Sequence, residues 1–309
     1  MQKKALIGII YLWIATLIFA ASNSVINRIG TLGVHHPIHS RNPISFCNVL
    51  FISNLLAGIF FLIFYYKVLR LDQLKKIKMK QLVVITAVTI SATILGPILY
   101  FLAIMLAPVI NVALFSTTQI EWALILGFLF TRERPSLLTI INTLLAAIGV
   151  AVIFYLYTPE YIPINVRLKM ANVGTGWLGH ILANFPKSGE ICTTLGAFFI
   201  ILGDQLTRKY IAKNMAPFLN IYRTFFGAII FFTIAVKIFG FEHFNDLASP
   251  FLWKWMLLYS GLIVVAGTYS LTRALQLVDS NELAVSNTFL PIAGIVFAFL
   301  ILGEIPNKA

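Results

Sequence analysis

Nine apolar runs separated by short polar breaks restrict this chain to a polytopic membrane protein. They fall at 5–28, 44–66, 82–106, 109–131, 136–158, 190–211, 217–239, 252–276 and 281–303. A hydrocarbon core takes about 20 apolar residues per helix, and each run meets that length. The runs are continuous, not alternating, so they read as helices and not as strands of a barrel. Backbone polar groups in lipid must be bonded within a segment or around a closed barrel. With 59% hydrophobic residues, only 11% charged and a mean hydropathy of +0.90, the chain lies outside the range of soluble domains.

The net charge of +12 would suggest a nucleic-acid partner in a soluble protein. Here the basic residues are sorted by loop. With the N-terminus in the cytoplasm, the inner segments hold Lys3 and Lys4, then Lys67, Arg70, Lys75, Lys76, Lys78 and Lys80, then Arg132 and Arg134, then Arg208, Lys209 and Lys213. The outer segments are poorer for their length, with Arg28, Arg41, Arg167, Lys169, Lys187, Lys237 and Lys254. This satisfies the positive-inside bias and assigns the charge to topology and anionic lipid, not to nucleic acid.

The chain also repeats itself. Leu129-Phe130-Thr131-Arg132-Glu133-Arg134-Pro135 returns as Leu300-Ile301-Leu302-Gly303-Glu304-Ile305-Pro306, an interval of 171 residues. The same shift lays Gly96 on Gly267, Ala103 on Ala274, Ala113 on Ala284, Thr117 on Thr288 and Phe128 on Phe299. The expected units are residues 1–158 with five spans, an external linker 159–189, and residues 190–309 with four. An odd number of spans per copy inverts the second relative to the first, which is the plan of many transporters. Lys3, Lys4 and Phe19-Ala20-Ala21-Ser22 allow a secretory-signal reading of the first run, but cleavage there would leave the first copy a helix short.

These residues resemble the drug/metabolite transporter superfamily, specifically its EamA-type carriers with two five-helix repeats. The likeness covers nearly the whole chain: residues 96–153, including Ala147-Ile148-Gly149-Val150, and the second copy from Thr272-Arg273-Ala274 through Leu290-Pro291-Ile292 to Leu302-Gly303-Glu304. A glutamate closing the fourth and ninth helices is the family's most recognisable feature, and Glu133 and Glu304 supply both. The resemblance implies an all-α bundle transporting a small metabolite or amino acid across a plasma or inner membrane. Two departures stand out. Pro291 holds the family's mid-helix proline in the second copy, whereas Ile120 replaces it in the first, beside Glu121. The sequence also ends three residues after Pro306, where the first copy continues into a further helix from Leu137, so a fragment or truncated product is expected.

Charged residues inside spans cost a few kcal/mol each unless paired or hydrated, so they are the candidates for function. Asp204 on the sixth helix and Arg223 on the seventh fall at similar depth and are expected to pair, as a static bridge or an inner gate. The resemblance adds that an arginine often stands on this helix, where the first copy offers only Asn48 and Asn54. Arg273 with Asp279 or Glu282 forms a second candidate pair across a short turn. Glu121 lies near mid-span beside Gln119 with no basic residue at its depth, so its carboxyl is expected to be protonated or hydrated, a candidate proton-coupling site.

Ser22, Asn23, Ser24 and Asn27 on the first helix, and Asp204, Gln205 and Thr207 on the sixth, suit a cavity between the copies. Thr117, Thr118, Gln119, Ser286, Asn287 and Thr288 would join them, with Tyr100 and Tyr269 as walls; bonding between helices is the plainer account of each. His35, His36 and His39 read as a solvated loop, Cys47 and Cys192 as unpaired, and the run from Trp177 to Phe185 as an amphipathic interfacial segment. No cofactor motif appears.

The reading is a carrier in the inner membrane, its partners a small-molecule substrate, lipids, protons and a second copy in a homodimer. The alternatives are a non-transporting membrane subunit and a membrane-embedded lipid-modifying enzyme, the latter needing His, Asp or Ser clusters at an interface.

Overall fold

The computed structural model describes residues 2–38, 41–66, 79–132, 137–156, 187–211, 215–278 and 280–304. Among these residues there is no strand, and every span is helical. Among the described residues eight helices are long and apolar enough to cross a membrane. The chain is therefore an all-α, multi-pass membrane bundle. The first span is α1 (Gln2–Gly33) and the second α2 (Phe46–Tyr65). The third is α3 (Met79–Val88), a π turn (Thr89–Leu95) and α4 (Gly96–Leu106) in sequence. Next come α5 (Val109–Phe115), α6 (Thr118–Thr131) and α7 (Leu137–Leu156). The later part holds α8 (Ser188–Tyr210), α9 (Ala216–Phe239) and a 3₁₀ turn (Phe241–Ala248). It ends with α10 (Pro250–Tyr259), a second π turn (Ser260–Gly267), α11 (Thr268–Leu275) and α12 (Ser280–Leu302). Glu133, Arg134, Pro135, His39, Asp279, the linker segment around Trp177 and Pro306 lie outside the described residues.

The apolar face of these helices points outward. Leu129, Leu262 and Leu300 are exposed on the surface, while Asn48, Asn111, Thr193, Gln205, Asn220 and Ser286 are buried. A bundle in lipid gains little by hiding leucine, so its interior admits small and hydrogen-bonding side chains among apolar clusters such as Ile52, Leu252 and Met256. Helix starts are secured locally. The Ser45 Oγ accepts the Asn48 N–H at 3.3 Å to open α2, and the Ser249 Oγ accepts the Leu252 N–H at 3.3 Å to open α10.

The packing is reciprocal. Helix α1 lies against the second π turn, α11 and α12, while α8 lies against α3, the first π turn, α4 and α6. Helix α2 packs on α9 and on the second π turn, and α9 in turn packs on the first π turn. The two π turns start at Thr89 and Ser260, separated by the 171-residue repeat interval. Two left-handed helix ends keep the same interval, Arg132 with φ +56° after α6 and Gly303 with φ +72° after α12.

Small residues permit the closest crossing. A methyl group on Gly189, Gly196 or Gly203 of α8 would lie 2.6, 2.8 or 2.5 Å from Ala107, Tyr100 and Ala92 respectively, so α8 lies in near-backbone contact along the third span. Replacing Gly203 by valine should force the helices apart at a cost of about 1–3 kcal/mol. Gly149, with nothing within 4 Å of such a methyl, should accept alanine without loss. Thermal unfolding of both variants in detergent tests the pair; equal midpoints would disprove the close crossing.

Candidate substrate pathway

Glu121 does not sit in an unbroken fourth helix. That span is interrupted at Ser116 and Thr117, between α5 and α6. Three consecutive hydroxyls explain the break. Ser116 Oγ donates to the Ala113 carbonyl (2.6 Å), Thr117 Oγ1 to Leu114 (2.8 Å) and Thr118 Oγ1 to Phe115 (2.8 Å). The backbone tightens to match, with Thr117, Gln119 and Ile120 N–H groups bonding carbonyls three residues back. Such side chains offer the backbone local partners that compete with the regular ladder. In the second copy α12 runs through Pro291 without a break.

The interruption puts Glu121 in the first turn of a half-helix within the span, where peptide dipoles favour negative charge. Both carboxylate oxygens are buried and have no hydrogen-bond partner. Glu121 lines a groove of about 430 Å³ between α6, α7 and α8, together with Thr118, Ala147, Phe154 and Glu190. Glu190 is a site residue that sequence reading missed, because it falls at a span boundary where acids are ordinary. It is only 5% exposed, and its Oε1 accepts a 3.1 Å bond from Asn111.

The expected pathway residues separate into two groups. Gln119 donates to the Tyr100 hydroxyl at 2.7 Å, linking α6 to α4 beside Thr117 and Glu121. Asn23 and Asn27 on α1 and Asn287 on α12 are half-buried, and Thr288 is exposed. None of these four lines the Glu121 groove. Buried polar atoms without partners include Glu121 Oε1 and Oε2 and Trp122 Nε1 on α6, Ser188 Oγ and Gln205 Oε1 near opposite ends of α8, and atoms of Ser24, Asn48 and Asn220 elsewhere. Unmet groups of this kind mark where water or a ligand enters a membrane protein.

A polar layer closes the end of the bundle that carries the start of α1. Asp204 on α8 lies within electrostatic reach of Arg223 on α9 and of Arg208. Arg223 also faces Tyr65. Tyr65 bonds Asn220, and Asn220 Oδ1 accepts from Thr272 at 3.5 Å. Arg273 donates Nε–H to the Tyr269 hydroxyl at 3.3 Å and lies 5.5 Å from its ring centre. The groups acting on Arg273 are Tyr269, Tyr65 and Tyr11. Glu282 is in the first turn of α12.

The opposite end is held by two other contacts. Gly303 turns the chain beyond α12 so that Glu304 accepts the Val109 and Ile110 N–H groups at 3.4 and 3.1 Å, capping α5 from the other part of the chain. Ser45 Oγ is 3.1 Å from His243 Nε2, and Asp246 Oδ2 accepts from Asn48 at 3.2 Å. Ser45, His243 and Asp246 are the residue types of a hydrolase. However, Ser45 Oγ is engaged as a helix cap, and His243 and Asp246 are buried, so the cluster serves as a clamp between α2 and the 3₁₀ turn. No group of three metal-ligating side chains occurs among the described residues, and Cys47 and Cys192 are buried free thiols.

Residues 6–155 and 187–309 match the EamA-like transporter family. The chain belongs to that family. Over 302 residues it is 34% identical to the "Uncharacterized transporter sll1164" of Synechocystis sp., a stretch covering 97% of this chain and 81% of the relative. No solved structure matches. The EamA-like assignment makes the bundle a membrane transporter, and the glutamate after the ninth span acquires a physical role in it, as the cap of α5.

Glu304→Ala should lose about 1 kcal/mol of stability by exposing a helix start, with Glu304→Gln losing less. Denaturant titration of the two variants reads the order, and no change in either would refute the cap. Burial, reinforced by Arg41, holds the His243 imidazole below its ordinary value of 6.5, and Asp246 only partly opposes this. The unfolded chain therefore takes up a proton first as pH falls below 6.5, so stability should drop through that window and level off below the folded value. His243→Gln should flatten the profile; an unchanged slope in the variant would remove His243 from it.

Proposed function

We propose that this chain carries a small polar or amphipathic metabolite, such as an amino acid, across the inner or plasma membrane, with its N-terminus in the cytoplasm. Two inverted copies, residues 1–158 and 190–309 joined by 159–189, rock against each other to open the path alternately to each side. The observation that carries this reading is the reciprocal packing, in which the first helix of each copy lies on the third and fourth spans of the other. The π turns and left-handed ends held at the repeat interval support it. In such an arrangement exchanging the roles of the copies exchanges inward and outward states.

The polar layer of Asp204, Arg223, Arg273 and Glu282 then acts as the inner gate, and the Glu304 cap with the His243 clamp as the outer one. Asn23, Asn27, Tyr100, Thr117, Gln119, Asn287 and Thr288 face the substrate route. Glu121 couples transport to protons, since an unpartnered carboxylate at mid-span is stable there when neutral and must be hydrated or paired when charged. Uptake of radiolabelled amino acids and amines into proteoliposomes, with and without an imposed pH gradient, tests the reading. For any solute moved, Glu121→Gln should abolish the response to the gradient, read as the ratio of uptake with and without it. A gradient response that survives in the variant would sink the coupling role, and absence of all solute movement would sink the carrier.

A further inference from the structure

We propose that the groove between α6, α7 and α8 is a lateral binding site for the ammonium end of an amphipathic amine, entered from the membrane. The inference deepens the carrier reading by naming a substrate class, and it rests on that reading only for the claim that the bound amine is then moved.

Three observations select the ligand. First, charge: among the described residues, Glu121 and Glu190 are the only ionisable acids or bases on the groove wall apart from the Tyr155 phenol, and both are acidic. Glu190 already receives Asn111, whereas neither oxygen of Glu121 has a side-chain donor. A ligand that brings N–H donors and a positive charge supplies what this carboxylate lacks; an anion or a neutral hydrocarbon does not.

Second, the walls: Phe115 and Phe154 stand edge to face at 6.0 Å, and Ala147, Val150 and Leu195 complete a largely apolar lining. Aromatic faces attract cations as well as hydrocarbon, and Phe154 already does so, with the Lys187 ammonium 4.5 Å from its ring centre. The volume of about 430 Å³ suits an aromatic ring with a short amino-alkyl chain. Third, access: Ile148, Val152, Ile191 and Leu195 around the groove are exposed apolar side chains on the lipid-facing surface. A solute that partitions into the bilayer reaches Glu121 without crossing either polar end of the bundle.

The test is saturable binding of radiolabelled phenethylamine to the purified chain in phosphatidylcholine nanodiscs at neutral pH. Unlabelled N-methylphenethylamine, which keeps the charge and the N–H donors, should displace the probe, while ethylbenzene and phenylpropionate should not. Glu121→Gln should weaken binding by at least tenfold. Ala147→Trp, which fills the groove without touching the carboxylate, should do the same, and each variant's thermal midpoint checks that it is folded. Equal binding by folded Glu121→Gln, or displacement by ethylbenzene, would overturn the proposal. If amines do not bind but solute transport still responds to the pH gradient through Glu121, the groove proposal fails and the carrier stands. Binding without transport of any solute upholds the groove and removes the carrier.

Discussion

Inside a bilayer every peptide N–H and carbonyl must find a partner within the protein, and the informative places in this bundle are those where the regular helical ladder is altered. There are three kinds: the π turns in the third and eighth spans, the break between α5 and α6, and the left-handed ends at Arg132 and Gly303. Side-chain hydrogen bonds cluster at the π turns, at the break and at the start of α5. Ser91 in the first π turn donates to the Phe199 carbonyl of α8, and Ser260 in the second donates to the Ser53 carbonyl of α2 at 2.9 Å. The break is covered by its own hydroxyls, and the start of α5 by Glu304. Apart from those at the break, these bonds reach across to a distant part of the chain.

The earlier and later parts of the chain are alike in packing and unlike in chemistry. The fourth span of the first copy lacks a proline yet breaks, while the corresponding helix α12 contains Pro291 and does not. A proline forfeits one ladder bond, whereas the three hydroxyls of Ser116, Thr117 and Thr118 redirect several carbonyls at once. The consequence is a half-helix start in one copy only, and Glu121 occupies it. At the 171-residue interval Glu121 falls on Ile292, so an acid stands at that depth on α6 and not on α12. The groove beside it belongs to the same asymmetry, since its third wall is α7, the span that follows the break.

The all-helical membrane class was legible in the sequence, because it depends on local composition. A run of apolar residues is a span whatever surrounds it, and a repeated glutamate after a span needs only alignment to be seen. Boundaries were less secure: α1 continues past Arg28 to Gly33, since a charged residue at the interface does not end a helix whose backbone water can still serve. The break at Ser116 was hidden because the missing proline at position 120 pointed toward a straighter helix, not a more broken one. Glu190, the His243 clamp and the partner of Glu304 were hidden for another reason. Their partners lie far away in sequence, at separations of 79, 198 and 195 residues.

What the sequence by itself determined is therefore the solvent this protein lives in and its helical class, since transfer energies act on neighbouring residues. Tertiary structure alone decided which polar side chains meet. It joined Tyr100 to Gln119, brought Asp204 within reach of Arg223, and set Glu121 beside Glu190 in a groove away from Asn23 and Asn287. The physical reason is that a helix in lipid can turn about its own axis with little change in burial energy. Only the glycine-lined crossing of α8 over the third span, and the bonds that cross between copies, choose the face each helix presents.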